Sequence, residues 1–161
     1  MLTPEETYTQ ALARKAENRT FFKKLARMDR NKLDKLVHDA HDEVFEKTDC
    51  LECANCCRSL GPRITDADVG RIASALKIKP AQLVSDLLHR DEDGDLVFNS
   101  MPCPFIDSEN YCSIYENRPR ACREYPHTDR RRFYQVLEIT LKNSFTCPAV
   151  MEIIEMLKLR L

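Results

Sequence analysis

Cys50-Leu51-Glu52-Cys53-Ala54-Asn55-Cys56-Cys57 is the most distinctive stretch of this 161-residue chain, because it holds four of the eight cysteines. The other four are spread through the C-terminal half, at Cys103, Cys112, Cys122 and Cys147. Thiolates separated by two residues on a helical turn or a tight loop point to the same side and can bind one metal ion. The stretch therefore predicts a metal-binding protein that folds around cysteine.

The composition indicates a mostly helical protein of one-domain size, with only three glycines and no tryptophan. A net charge of -1 gives no overall electrostatic case for nucleic acid or an anionic membrane. No apolar run approaches the roughly 20 residues of a membrane span, and the N-terminus lacks the basic start and apolar stretch of a signal peptide. We therefore expect a cytoplasmic protein with no membrane partner, in which thiols stay reduced and bind metal rather than form disulfides.

The segment before Cys50 contains no cysteine and predicts an N-terminal helical arm, residues 1–48, packed on a cysteine-cluster metal-binding domain, residues 49–161. Thr3-Pro4-Glu5-Glu6 has the residues of a capping box with proline in the first turn. Apolar residues then recur with helical spacing at Leu33, Leu36, Val37, Ala40, Val44 and Phe45. An isolated helix of this length is marginal in water, so we expect this stripe to be buried on the cysteine-bearing body rather than on a second copy.

The remaining elements complete a mainly α fold with a short β-hairpin. Helices are predicted to open at Thr65, Pro80 and Pro148, and His89 is expected to close the second of these. Asp91–Asp95 indicates a turn, and Leu96–Phe98 a short extended piece. Cys103–Ile106 and Tyr111–Tyr115 are predicted to form the hairpin.

A family resemblance rests on the later cysteines and their neighbours. The segments Cys103–Ile106, Cys112–Pro119 and Cys122–Pro126, together with the first cysteine run, resemble the YkgJ-type cysteine-cluster family, described as zinc- or iron-chelating. The match covers roughly Cys50 to the final helix, and all eight cysteines have a counterpart. The resemblance implies metal binding but no particular reaction.

Two ligand arrangements are open from the spacing. Cys50, Cys53 and Cys56 resemble the run that holds three irons of a [4Fe–4S] cluster, with a distant cysteine as the fourth ligand. Alternatively, eight thiolates make two four-coordinate zinc sites. Side chains of the adjacent Cys56 and Cys57 are expected to diverge, which favours two sites or one cluster plus a spare thiol. Some cysteines, above all Cys57 and Cys122, are alternatively small buried core residues. The candidate cofactors are thus an iron–sulfur cluster or zinc.

Three classes of function fit this sequence: a metal or iron–sulfur protein in redox or metal handling, a structural zinc module for protein or nucleic-acid interaction, and an accessory domain of a metal-dependent enzyme. No phosphate-binding or nucleophile motif is present. His38 and His41 are interpreted as partly buried helix residues rather than ligands, and His127 as a marginal ligand. Arginines near the later cysteines are expected to offset thiolate charge, namely Arg118, Arg120 and Arg123, whereas Arg130, Arg131 and Arg132 are interpreted as part of a solvated face.

Overall fold

The structure, a computed structural model, describes residues 2–161 and is mainly α-helical with a two-stranded antiparallel hairpin. This confirms the predicted fold class. The chain forms two compact units: unit 1 runs to Cys53 and resumes over Pro126–Leu161, and unit 2 is Ala54–Tyr125. The sequence-based division into 1–48 and 49–161 stays a prediction, and the compact units follow different boundaries.

The elements are, in chain order, α1 (Pro4–Ala13), α2 (Lys15–Leu25), α3 (Arg30–Phe45), α4 (Cys50–Cys53), α5 (Asn55–Ser59), α6 (Asp66–Leu76), α7 (Pro80–Leu87), β1 (Leu88–Arg90), β2 (Leu96–Phe98), α8 (Arg120–Glu124), α9 (Leu137–Asn143) and α10 (Pro148–Arg160). Short 3-10 turns lie at Tyr115–Asn117 and Phe133–Gln135. No helix within residues 2–161 is both long and apolar enough to cross a bilayer.

Side-chain caps begin several of these helices. The Thr3 hydroxyl accepts from the Glu6 amide at 3.2 Å, and the Glu6 carboxylate accepts from the Thr3 amide at 2.8 Å, which confirms the predicted capping box. Asp29 caps α3 by accepting from the Lys32 amide at 2.9 Å. In unit 2, Thr65 and Asp68 form a second capping box at the start of α6. Each cap satisfies amides that have no partner inside the helix.

The core of unit 1 is built on the apolar stripe of α3. Its members Leu33, Val37, Ala40 and Val44 are buried, whereas Leu36 and Phe45 are partly buried. They pack with buried residues of α10, which are Ala149, Val150, Ile153, Ile154 and Leu157. The stripe is therefore covered by the C-terminal helix of the same chain.

A polar contact ties the segment before α9 to α3. The Asp34 carboxylate accepts from the amides of Arg132 and Phe133 at 2.7 and 2.8 Å. On the same helix, His38 Nε2 lies 3.0 Å from the Arg130 carbonyl oxygen, and His41 Nδ1 lies 2.7 Å from the Thr128 hydroxyl. The two histidines are partly buried helix residues that contact backbone and hydroxyl groups, as the sequence suggested.

The hairpin of unit 2 lies earlier in the chain than predicted. Leu88–Arg90 pairs antiparallel with Leu96–Phe98, around the expected turn at Asp91–Asp95. His89 thus belongs to a strand, and its predicted place at a helix end is wrong, because the chain becomes extended at Leu88 (φ -123°, ψ 155°). The segments predicted to pair, Cys103–Ile106 and Tyr111–Tyr115, share a single bridge between Ile106 and Cys112.

Unit 2 has its own apolar core. The buried side chains are Ile64, Val69, Ile72, Ala73, Leu83, Leu88, Leu96, Phe98, Phe105 and Ile114. Cys103 and Cys112 are partly buried and pack against this core. Two of the predicted metal ligands therefore lie at its edge.

The α3 stripe provides a test of unit 1. Leu33 is 1% exposed, so Leu33→Ala removes buried methyl groups and leaves a cavity. We expect a loss of about 2–5 kcal/mol in the free energy of unfolding, measured by urea denaturation followed by far-UV circular dichroism. Leu12 is 53% exposed on α1, so Leu12→Ala is the matched control, with an expected change below about 0.5 kcal/mol. Equal effects of the two substitutions would contradict this description of the core.

Candidate metal centre

Backbone hydrogen bonds position four cysteine-bearing segments of unit 2. The Cys103 amide donates to the Cys57 carbonyl oxygen at 3.0 Å, which ties the segment before Phe105 to α5. The Ser113 amide donates to the Phe105 carbonyl oxygen at 2.8 Å, and so places Cys112 beside the Cys103 segment. The Cys122 amide bonds to the Pro119 carbonyl oxygen at 3.0 Å in the first turn of α8.

The thiols of these segments interact electrostatically. We call Cys57, Cys103, Cys112 and Cys122 the four-thiol set. Burial raises the pKa of Cys122 to about 12, and charges at Cys57, Cys103 and Cys112 add to that effect. Burial likewise raises the pKa of Cys103 and of Cys112, and the charge at Cys57 raises both further. Each thiolate that forms therefore opposes ionisation of its neighbours.

Cys57 is the member of the set that ionises most readily. A hydrogen bond from the Cys56 thiol lowers the pKa of Cys57 to about 7 against the opposing effect of burial, and the charges of Arg118 and Arg58 lower it further. The sulfurs of Cys56 and Cys57 are 4.0 Å apart. The expectation that these adjacent side chains diverge is wrong, because the two sulfurs approach each other within α5. This helix is short and follows Ala54 in the left-handed conformation (φ 45°).

A second group of thiols lies in unit 1. Cys50 and Cys53 are the ends of α4, and Cys147 precedes the first residue of α10. Burial raises the pKa of Cys147 to about 11, partly offset by hydrogen bonds from the Val150 and Ala149 amides. Charges at Cys50 and Cys53 raise the pKa further. We call these three residues the three-thiol set.

The structure thus associates each distant cysteine with part of the first run. Cys147 interacts with Cys50 and Cys53, whereas Cys103, Cys112 and Cys122 interact with Cys57. Joint ligation by Cys50, Cys53 and Cys56 stays a prediction. None of the cysteines is fully buried, so the description of Cys57 and Cys122 as core residues does not hold.

The donor chemistry of the four-thiol set fits zinc or iron. No disulfide joins any cysteine within residues 2–161. In the same residues, no three His, Cys, Asp or Glu side chains are already arranged to coordinate an ion. Tetrahedral coordination with bonds of about 2.3 Å requires sulfurs about 4 Å apart, so coordination would draw these neighbouring thiols inward. Four thiolates suit zinc in a closed tetrahedral site and iron in a thiolate site equally well.

Comparison with known families agrees with this donor set. The sequence model of the CxxCxxCC family, described as "Putative zinc- or iron-chelating domain", matches residues 49–148. This chain belongs to the CxxCxxCC family. All eight cysteines lie within the matched residues, and the resemblance drawn from the sequence is confirmed. Searches of curated proteins and of solved structures found no match.

Sequence reasoning missed two polar residues of the CxxCxxCC domain. Asp68 is 1% exposed and accepts from the Arg71 guanidinium at 2.6 Å and from the Arg120 amide at 3.0 Å, which joins α6 to the start of α8. Arg58 donates to the Asn110 side-chain oxygen at 3.1 Å. Asp68 and Arg120 are far apart along the chain, so no local sequence pattern marks this contact.

The low pKa of Cys57 in the CxxCxxCC domain predicts selective alkylation. With its pKa near 7, Cys57 is partly thiolate at neutral pH, whereas burial raises the pKa of Cys103 and of Cys112 and keeps both sulfurs as thiols. In metal-free, reduced protein, we expect iodoacetamide to label Cys57 at least about tenfold faster than either, with a rate that rises with pH through 7. Peptide mass spectrometry measures the rates.

The Cys56 thiol provides a control for that experiment. Cys56→Ala removes the hydrogen-bond donor, so the pKa of Cys57 should rise and its labelling at pH 7 should slow. Labelling of Cys57 no faster than of Cys103, or unaffected by Cys56→Ala, would contradict this description of the site.

Proposed function

We propose that this protein chelates metal and that the four-thiol set of unit 2 holds one zinc or iron ion as thiolates. The observation that supports this most directly is the backbone hydrogen bonding that ties the Cys103 segment to α5 and places Cys112 beside that segment. Charges at Cys57, Cys103 and Cys112 all raise the pKa of Cys122. Disulfides are absent among the cysteines of residues 2–161, so every sulfur is available in the thiol form. Membership of a zinc- or iron-chelating family agrees with this assignment.

Charge balance explains why the four-thiol set needs a cation. Four thiolates carry four negative charges, and burial together with mutual repulsion keeps Cys103, Cys112 and Cys122 protonated. A divalent ion supplies the positive charge that permits all four to ionise, and iron would add a one-electron couple. Cys57, already partly ionised at neutral pH, is the first sulfur able to bind an incoming ion.

The three-thiol set is proposed as a second metal-binding position, in unit 1. Cys50 and Cys53 keep the two-residue gap typical of both zinc and iron–sulfur ligands. Cys147 is followed by Pro148, as a ligand of a ferredoxin-type cluster often is. All eight cysteines are proposed as ligands, with Cys56 of unit 2 assigned to neither set. The experiment below decides between an iron–sulfur cluster and zinc.

Partial exposure of the cysteines favours a role in metal handling or redox chemistry. Cys50 is an exposed residue and the other seven cysteines are partly exposed, so the two sets lie near the surface, where an exchanging ligand or an electron donor can approach. We propose a cytoplasmic setting, where such thiols remain reduced. The alternative, a structural zinc module that binds another macromolecule, is supported by the packing of Cys103 and Cys112 on the core of unit 2, where a bound ion would link the surrounding loops.

The assignment predicts two separable metal equivalents. We expect full-length protein purified without oxygen to contain zinc or iron, and Cys122→Ala and Cys147→Ala each to lose a different part of it. The double variant should retain neither part. Elemental analysis for zinc, iron and acid-labile sulfide measures the content, and sulfide with a brown colour identifies an iron–sulfur cluster.

A substitution of similar size outside the sites serves as the control. Ser85 is exposed on α7 and its hydroxyl donates to the Gln82 carbonyl oxygen and the Asp86 carboxylate of the same helix, so Ser85→Ala should leave the metal content unchanged. Wild-type protein without zinc or iron, or a Cys122→Ala variant with full metal content, would refute the proposed function.

A further inference from the structure

Arg118 lies between two cysteines of the four-thiol set. The Tyr115 amide donates to the Cys112 carbonyl oxygen at 3.2 Å, and the Arg118 amide donates to the Tyr115 carbonyl oxygen at 3.4 Å. Beyond Pro119, the first turn of α8 carries Cys122. Two successive turns thus link Cys112 to Arg118, and one helical turn links Arg118 to Cys122.

The guanidinium group of Arg118 lacks the usual partners. Its Nη1 atom is buried and has no hydrogen-bond partner within residues 2–161. Of the ion pairs in that part of the chain, none involves Arg118. A buried guanidinium nitrogen without a partner is costly, so its presence calls for an acceptor that completes its environment.

The thiols nearest to Arg118 along the chain are those of Cys112 and Cys122, which the turns described above place on either side of it. Arg58, which directly follows Cys57 in the sequence, is already engaged by the Asn110 side chain at 3.1 Å. Arg118 therefore keeps a buried guanidinium nitrogen that still needs an acceptor, whereas Arg58 donates to one.

Surrounding residues hold Arg118 in place. Its guanidinium carbon lies 3.7 Å from the centre of the Tyr115 ring, a cation–π contact that fixes the side chain. Its carbonyl oxygen accepts from Arg71 at 2.9 Å, and Arg71 is bound to the buried Asp68 carboxylate at 2.6 Å. The backbone and the side chain of Arg118 are therefore both anchored, and the charge is pre-organised.

We propose that Arg118 is the positioned counter-charge of the four-thiol set: its guanidinium stabilises the thiolates of the metal-bound state and offers its buried Nη1–H to sulfur. This inference rests on the proposed function. A divalent ion held by four thiolates has a net charge of about -2, which a fixed guanidinium partly offsets. Because ferrous iron leaves one more negative charge than ferric iron, the same guanidinium would favour the reduced state.

The test compares four proteins that all carry Cys147→Ala, so that the three-thiol set is impaired. They are the Cys147→Ala parent itself and the parent with R118M, R118K or R120M added. Arg120 lies two residues away but is exposed, and its side chain pairs with Glu124. Zinc affinity is measured by competition with a chromophoric chelator, and folding of each metal-free protein by circular dichroism. Residues that contact metal ligands typically change metal affinity by about 10–100-fold. We therefore expect R118M to lower the zinc affinity by about that factor and R120M to leave the zinc affinity unchanged.

R118K separates charge from packing. Lysine retains the positive charge but not the planar fork, so R118K should recover more than half of the lost affinity on a logarithmic scale. If iron is the native metal, R118M should also lower the reduction potential, a change that a purely structural role would not produce. Equal affinities for R118M and R120M, or an R118K variant as weak as R118M, would overturn the inference.

Two further outcomes are decisive. If the Cys147→Ala parent binds neither zinc nor iron, the proposed function and this inference both fail, whereas a metal-binding parent with an unaffected R118M variant refutes the inference alone.

If metal-free R118M loses its helical signal, zinc affinity is measured on a Tyr115→Leu variant in its place. Tyr115 is 59% exposed, so its loss withdraws the ring from the guanidinium with little effect on the core. Weaker zinc binding by Tyr115→Leu is then expected, and unchanged binding would overturn the inference.

Discussion

Repulsion among four partly buried thiolates is the constraint on which the description of unit 2 depends. Cys57 ionises near neutral pH, and its charge then opposes ionisation of Cys103, Cys112 and Cys122. Protonation of Cys103, Cys112 and Cys122 relieves this repulsion in the metal-free unit. A bound cation reverses the balance, because each additional thiolate then strengthens binding rather than adding repulsion. Metal binding, proton release and the packing of residues 103–122 are therefore aspects of one equilibrium.

The two units are expected to depend on metal to different degrees. Unit 1 has an extensive core in which α3 packs on α10, and Cys147, at the start of α10, packs against that core. In unit 2, Cys103 and Cys112 contact the apolar core itself, in a region where turns rather than long elements define the chain path. Removing metal should therefore loosen the segment around Cys103 and Cys112 before it affects the α3–α10 pair.

The sequence predicted those features that depend on local chemistry. The stripe of α3, the cap at Thr3, the helix start at Thr65 and the turn at Asp91–Asp95 follow from spacing and side-chain type, and all are present. Strand β1 was missed because Leu88-His89-Arg90 directly continues an apolar helix and has no turn signal before it. The association of each distant cysteine with Cys57 or with Cys50 and Cys53 was beyond sequence reasoning, since it depends on long-range packing. The contact between Asp68 and the Arg120 amide was missed for the same reason.

X-ray absorption at the metal edge tests the central claim most directly. It should be recorded on full-length Cys147→Ala protein loaded with one equivalent of zinc, so that the four-thiol set supplies the signal. Ligation by Cys57, Cys103, Cys112 and Cys122 predicts a first shell of four sulfurs at about 2.3 Å and no nitrogen or oxygen. A shell that contains nitrogen or oxygen, or fewer than four sulfurs, would contradict the account.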